Sequence, residues 1–344
     1  VRRKSDYAAS TRRILDLQRY DGSITWVDAG VFDPWNHSES AMALAVMGEE
    51  DAARAALLHL AETQNDDGSW WSDYGNAAPL DENERMADAD QPRVRDTNYA
   101  AYPAVAVLHN LLVTDDAALA RDLWPMVDKA ISFVLSQQTR HGDIRWAAPD
   151  ENAEIDDALV TGNSSIVFSL ACAARLADRL GKDRPSWTAA RARVAEALRD
   201  KPHRFDRNWE SKGHFSMDWY YPALSGAHPK AAANALIEDR WGEFVVDGLG
   251  VKCTAKEPWV TVAEACELVM TLIKLGRLDE AGDIFDWQHA YRDADGCYWM
   301  GYQYEEKVFW PADKPSWTAA AVILAADALN GWSEGGTLFS SPLP

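Results

Sequence analysis

Apolar residues recur along the chain in two alternating styles. One is amphipathic, with a single apolar face at helical spacing; the other is apolar on nearly all sides. The amphipathic stretches are Tyr7–Gln18, Asp51–Gln64, Leu119–Gln138, Trp187–Arg199, Pro229–Trp241 and Gly276–Gln288. In Trp187–Arg199, Ala190, Val194 and Leu198 fall on one face with arginines between them. The all-round apolar stretches are Ser40–Met47, Ala100–Leu112, Ile166–Leu180, Ala223–Ala227, Trp259–Leu275 and Trp317–Leu329. A helix with one apolar face belongs at a surface, and one that is apolar all round belongs in an interior. Six of each in alternation predict an all-α fold, an (α/α)6 toroid of six helical hairpins with outer and inner walls. The pattern predicts one domain over residues 1–332 and a loose tail over 333–344. The acidic stretch Asp73–Arg95, without periodicity, reads as a long loop of the kind that forms a lid or a site wall, and Pro149–Asp157 reads as a second polar loop.

The ends of the amphipathic helices share a sequence. Gln18-Arg19-Tyr20-Asp21-Gly22-Ser23-Ile24-Thr25-Trp26 returns as Gln138-Thr139-Arg140-His141-Gly142-Asp143-Ile144-Arg145-Trp146. A shorter copy runs from Gln64 to Trp70, and a longer one from Gln288 to Trp299. Gln can serve exposed backbone groups at a helix end, Gly permits a positive φ, and Trp can cover the adjoining helix. The repeat is therefore a device for stability, with short hairpins at its turns as the expected strand content.

Charge narrows the partners. A net charge of −20 repels nucleic acid and anionic membrane surfaces, and disfavours polyphosphates without a basic pocket. The four cysteines are scattered with no CxxC pair, which fits reduced thiols in a cytoplasmic protein. No apolar run reaches the roughly 18 residues that span a bilayer, and no apolar signal region follows Val1-Arg2-Arg3-Lys4. The sequence assigns no oligomeric state and no cofactor. The expected partner is a small-molecule substrate.

Chemistry is sought where the inner helices begin, because these starts would ring one end of a central funnel. They carry Trp35, His37 and Glu39; Asp96, Asn98 and Tyr99; Asn163 and Ser164; Asp218, Trp219 and Tyr220; Glu264 and Glu267; and Trp317. Asp96, Asn163 and Ser164 also suit helix N-caps. So many polar and aromatic starts on one axis favour a shared pocket.

The Gln–Gly–Trp repeat resembles the QW repeat of terpenoid cyclase and prenyltransferase toroids. That resemblance implies an enzyme acting on an isoprenoid, started by a carboxylic acid in an Asp-x-Asp-Asp motif and guided by an aromatic wall. Glu154-Ile155-Asp156-Asp157 is similar to the motif, with Glu in first place. Asp156, Asp157 or Asp218 is then the acid, and Trp35, Trp219, Tyr220 and Trp317 the wall. Asp295-Gly296-Cys297 looks like the zinc pair of protein prenyltransferases, but no histidine follows His289 to complete a site. It reads as a turn, and no metal is assigned.

Asn163–Gly181, Glu264–Ala281 and Lys314–Ala320 look like the glucoamylase-type six-hairpin glycosidases. That resemblance implies two carboxyl groups facing each other across the funnel, one acid and one base. Glu39, Asp96, Asp218, Glu264 and Glu267 are the candidates, with His37 beside Glu39 as a further base. No GxSxG element or phosphate-binding loop is present. The leading expectation is a class II terpenoid-cyclase-like enzyme. The alternative is a glycoside hydrolase or lyase, and the third reading a non-catalytic binding toroid.

Overall fold

The computed structural model describes residues 2–28, 30–74, 94–148 and 155–341. Most of the Asp73–Arg95 loop and Glu154 of the acidic motif lie outside them. The outer wall is α1 (Ala8–Leu17), α3 (Glu50–Thr63), α6 (Ala117–Ser136), α8 (Pro185–Asp200), α10 (Lys230–Asp239) and α12 (Leu278–Trp287). The inner wall is α2 (Pro34–Met47), the broken pair α4 (Thr97–Ala101) and α5 (Pro103–Thr114), α7 (Val160–Arg179), α9 (Ser216–Leu224), α11 (Val262–Leu275) and α13 (Ser316–Asn330). Each inner helix packs on the next, and α13 packs back on α2, which closes the ring. The all-α (α/α)6 toroid expected from the pattern is the fold found.

The repeat turns join neighbouring outer helices. Gln18 Nε2 donates to the carbonyl of Gly22 at 3.3 Å and to that of Ala52 on α3 at 2.9 Å. Gln64 does the same to Gly68 and to Met126 on α6, and Gln138 to Gly142 and to Ala190 on α8. In the last copy the bridge is Arg292↔Tyr298, matching Gln18↔Ile24 and Gln138↔Ile144. Arg292, and not Gln288, therefore holds the turn, donating to Gly296 and to Asp6. In this register the buried position is Ile24, Trp70, Ile144 and Tyr298. Trp26 and Trp146, two residues on, are left half-exposed at the mouth of the ring. The expectation that every repeat Trp covers a helix thus holds for Trp70 and fails for Trp26 and Trp146. Gln64→Ala removes two side-chain hydrogen bonds that join the turn to α6, so it should lower stability by about 1–3 kcal/mol. A urea titration checks this, and an unshifted midpoint contradicts it.

Several boundaries move for identifiable reasons. Helix α7 starts at Val160, ahead of Asn163, because Asp218 of α9 reaches over to accept from Thr161 N at 3.0 Å. Trp259–Thr261 is a strand, not the first turn of α11. It is the middle of a five-stranded antiparallel sheet, β3 (Val245–Val246), β4 (Gly250–Lys252), β5 (Trp259–Thr261), β6 (Gly301–Gln303) and β7 (Val308–Phe309), in that order. A second pair, β1 (Arg95–Asp96) and β2 (Ala147–Ala148), ties the second hairpin to the third. The stretch expected to be a loose tail is packed. Thr337–Ser340 forms a helical turn, Leu338 and Phe339 are buried, and the Phe339 ring lies 5.6 Å from that of Phe168. Among the described residues no helix is long and apolar enough to cross a membrane.

Candidate active site

The inner helices begin at one end of the ring and their first turns surround a funnel. Asp33, a residue the sequence reading passed over, builds the first hairpin's contribution. It N-caps α2 by accepting from Trp35 N at 2.7 Å and Asn36 N at 2.9 Å. Its other oxygen accepts from the Trp26 indole at 2.6 Å. Burial still pushes this carboxyl up. The cap ties the Trp26 turn to Trp35, so one carboxylate sets two aromatic walls.

Below the rim lies a floor of buried carboxyls and phenols. Glu39 Oε1 accepts from the Trp35 indole at 2.9 Å and from the Tyr102 hydroxyl at 3.0 Å. Glu267 accepts from the Tyr220 hydroxyl, and from Tyr221 at 2.8 Å. Burial raises Glu39 to about 7. It raises Glu267 well above the usual range, and the nearby Glu39 charge adds to the effect. Trp35 meets the Tyr221 ring edge-on at 5.7 Å, which joins the Glu39 and Glu267 sides of the floor. Tyr102 and Tyr221 escaped the sequence reading because nothing separates them from packing aromatics in an apolar helix.

Above the floor stand three half-exposed carboxylates on different hairpins. Asp96 caps α4, accepting from Tyr99 N at 3.0 Å. Although it meets the funnel, protein surrounds it, and burial raises it to about 7 against the cap's opposing pull. A pocket of about 200 Å³ opens beside it, walled by Trp35, Tyr99, Trp146 and Thr161, with Asn98 at its edge. Glu264 sits on α11 one turn above Glu267, next to the Cys253 thiol, which burial and the Glu264 charge push up. Asp218 lies on α9, its Oδ1 bound to Thr161 N and Oγ1, and burial raises it. In a ring of six hairpins the second and fifth oppose each other, so Asp96 and Glu264 stand on opposed inner helices.

Other candidates prove to be scaffold. His37 is buried, accepts from Ile24 N at 3.1 Å through Nδ1 and pairs Nε2 with the Ala56 carbonyl at 2.8 Å. Burial lowers it to about 4, so it is a neutral tie and not a base beside Glu39. Asn163 ties Ile144 in the same way, through both N–H and C=O. Trp219 is buried, donates to the Leu236 carbonyl and stacks on Phe244 at 5.1 Å, away from the funnel. Tyr220 belongs to the floor. Trp317 stands at the rim, edge-on to Trp26 at 5.8 Å.

Asp156 and Asp157 do not form an acid motif facing the funnel. Asp156 is exposed and ion-paired with Arg207 at 3.2 Å, with Arg145 at 3.7 Å. Asp157 accepts from Ala158 N and Asn208 N, with Arg207 at its limit of reach. Both clasp the third loop to the fourth. Asp295 accepts from Cys297 N and pairs with Lys314 at 2.6 Å, as a turn does. Among the described residues no three His, Cys, Asp or Glu side chains gather as a metal site would need. All four cysteines are free thiols.

No protein-family model matches the chain. It is 41% identical over 330 residues to the MMP endo-(1,4)-3-O-methyl-alpha-D-mannosidase of Mycolicibacterium hassiacum, covering 96% of this chain and 88% of that protein. Among solved structures it is similar to a D-mannose isomerase, with a TM-score of 0.69 and 11% identity over 94% of this chain and 96% of that one. It is also similar to the GH63 mannosylglycerate hydrolase from Thermus thermophilus in complex with glucose, with a TM-score of 0.66 and 13% identity over 91% and 98%. A further glycosidase in complex with glucose gives 0.66 and 15% over 95% and 96%. These structures share the fold, which hosts isomerases and hydrolases alike. The mannosidase relative overturns the terpenoid-cyclase reading and the isoprenoid substrate; the Gln–Gly turns it rested on are ring joints. The carbohydrate-active alternative is the one supported. The chain belongs to the family of the MMP endo-(1,4)-3-O-methyl-alpha-D-mannosidase.

Proposed function

We propose that the protein is an endo-acting glycoside hydrolase that cleaves α-(1→4)-linked, 3-O-methylated mannose chains. The observation that carries this reading is the 41% identity to an endo-mannosidase across nearly the whole toroid. The funnel agrees with it, since an acidic floor and tryptophan walls suit a neutral sugar whose methyl groups add apolar surface. Four free thiols support a reducing compartment such as the cytoplasm.

Asp96 is proposed as general acid. Raised to about 7, it keeps its proton near neutrality and delivers it to the glycosidic oxygen as the C–O bond breaks. Glu264, opposite, is proposed as base. It takes a proton from a water whose oxygen bonds to the anomeric carbon, and solvent exchange resets both carboxyls. The proposal is an inverting one, in which the two carboxyls stand far enough apart to admit that water; their place on opposed hairpins supports it. Asp218, Glu39, Trp35, Tyr99 and Trp317 are proposed to hold the sugars in place. Two carboxyls suffice for this reaction, so no cofactor is assigned.

The test is digestion of an α-(1→4)-linked 3-O-methylmannose oligosaccharide in 18O-labelled water. Hydrolysis puts one labelled oxygen on each new reducing end. Unlabelled or unsaturated ends contradict the hydrolase reading, and unchanged substrate contradicts the substrate class.

A further inference from the structure

We propose that the funnel mouth carries an aromatic track for a long, uncharged glycan, crossing the line between Asp96 and Glu264. This rests on the hydrolase reading above. Three tryptophan pairs make the track. On one side Trp146 of the third loop packs on Trp209 of the fourth, at 5.4 Å between rings. On the other, Trp26 of the first hairpin meets Trp317 of the sixth at 5.8 Å. Next to it, Trp259 of β5 meets Trp310, just after β7, at 5.2 Å.

The order of hairpins around the ring fixes how these pairs relate to the carboxylates. The junction of hairpins three and four lies opposite the junction of six and one. Asp96 and Glu264 stand on hairpins two and five, the opposed pair whose line runs at right angles to the line between those junctions. A chain resting on both aromatic junctions therefore brings one linkage between the two carboxyls. Sugars extend from it both ways, which is the demand of an internal cut. The Trp259–Trp310 pair widens the aromatic rim on the Glu264 side, since β5 runs straight into α11, the helix of Glu264.

The outermost rings are exposed yet held. Trp209 is 39% exposed and Trp310 46% exposed. Both lie in segments that lead into inner helices, Trp209 ahead of α9 and Trp310 ahead of α13. The Lys212 ammonium lies 5.2 Å over the Trp209 ring. The Trp259 indole donates to the Trp310 carbonyl at 2.6 Å. Gly301 admits the Trp259 ring, because a Cβ there would stand 2.5 Å from its Nε1. Rings fixed in advance bind with little loss of freedom. The occupant is neutral, because a chain of net charge −20 repels polyanions. Flat rings suit the C–H faces and methyl groups of methylated hexoses.

The test compares a short α-(1→4)-linked 3-O-methylmannose oligosaccharide, which fills only the funnel, with a long one that reaches both sides. Trp209→Ala and Trp310→Ala should each raise KM for the long chain about tenfold more than for the short one. Trp310→Phe should recover much of the loss, and thermal unfolding should stay near wild type for these exposed sites. Equal effects on both lengths overturn the track while leaving the hydrolase reading intact. Calorimetry with the same two oligosaccharides in an Asp96→Asn background reads binding without turnover. Tryptophan-dependent preference for the long chain, with no cleavage by the wild type, keeps the track and removes the hydrolase reading. No preference for length in this titration overturns the track.

Discussion

Asp96→Asn should lower kcat on an oligomannoside by about 10²–10⁴-fold, and Glu264→Gln by a similar factor, the usual contribution of one general acid or base. Asn keeps the shape of the cap and can still accept from Tyr99 N, so α4 should fold and only the proton is lost. The pH profile gives the sign. An acid held at about 7 is protonated below that value and spent above it, so kcat/KM should fall as pH rises through about 7. Asp96→Asn should abolish that limb. Linkage runs the same way: a carboxyl raised from 3.8 to about 7 contributes stability fully present below 3.8 and lost as pH rises through 7. Glu39 also sits at about 7. If Asp96→Asn keeps most activity while Glu39→Gln loses it, the acid is in the floor and the assignment fails.

Gly68→Ala should cost about 2–5 kcal/mol of stability, as backbone strain and overpacking add. The glycine has φ +93, and a Cβ would stand 2.3 Å from the carbonyl oxygen of Lys129 on α6. Neither atom belongs to a flexible side chain, so the joint between α3 and α6 must open. Gly48 isolates the strain, with φ +86 and nothing within 4 Å of a Cβ. Gly48→Ala should cost only about 1 kcal/mol. Urea midpoints of the two variants decide the matter; equal losses would mean that close packing at the turn contributes nothing.

The toroid was legible because hydrophobic periodicity reports burial, and burial alternates between outer and inner helices. The joints were half legible. Gln18, Gln64 and Gln138 read correctly as serving backbone groups, but only the bridge Arg292↔Tyr298 reveals that Arg292 replaces Gln288. Trp26 and Trp146 read as scaffold from sequence alone, since their exposure depends on a register two residues beyond the buried position. His37 and Asn163 looked like site residues for the opposite reason: a polar side chain at an inner-helix start can face the funnel or turn back to Ile24 or Ile144, and sequence does not distinguish these. Asp156 and Asp157 misled through local motif likeness. Their partner Arg207 lies about fifty residues on, and such pairing leaves no local pattern. Asp96 and Glu264 were on the candidate roll, but their opposition follows from the closed ring.

The most direct measurement is the length distribution of products over time, from a long α-(1→4)-linked 3-O-methylmannose chain. Fragments of intermediate length should come first, from internal cuts, with the wild-type protein and not with Asp96→Asn. Intact chain after prolonged incubation, release of single sugars from one end only, or the same ladder from Asp96→Asn would contradict it.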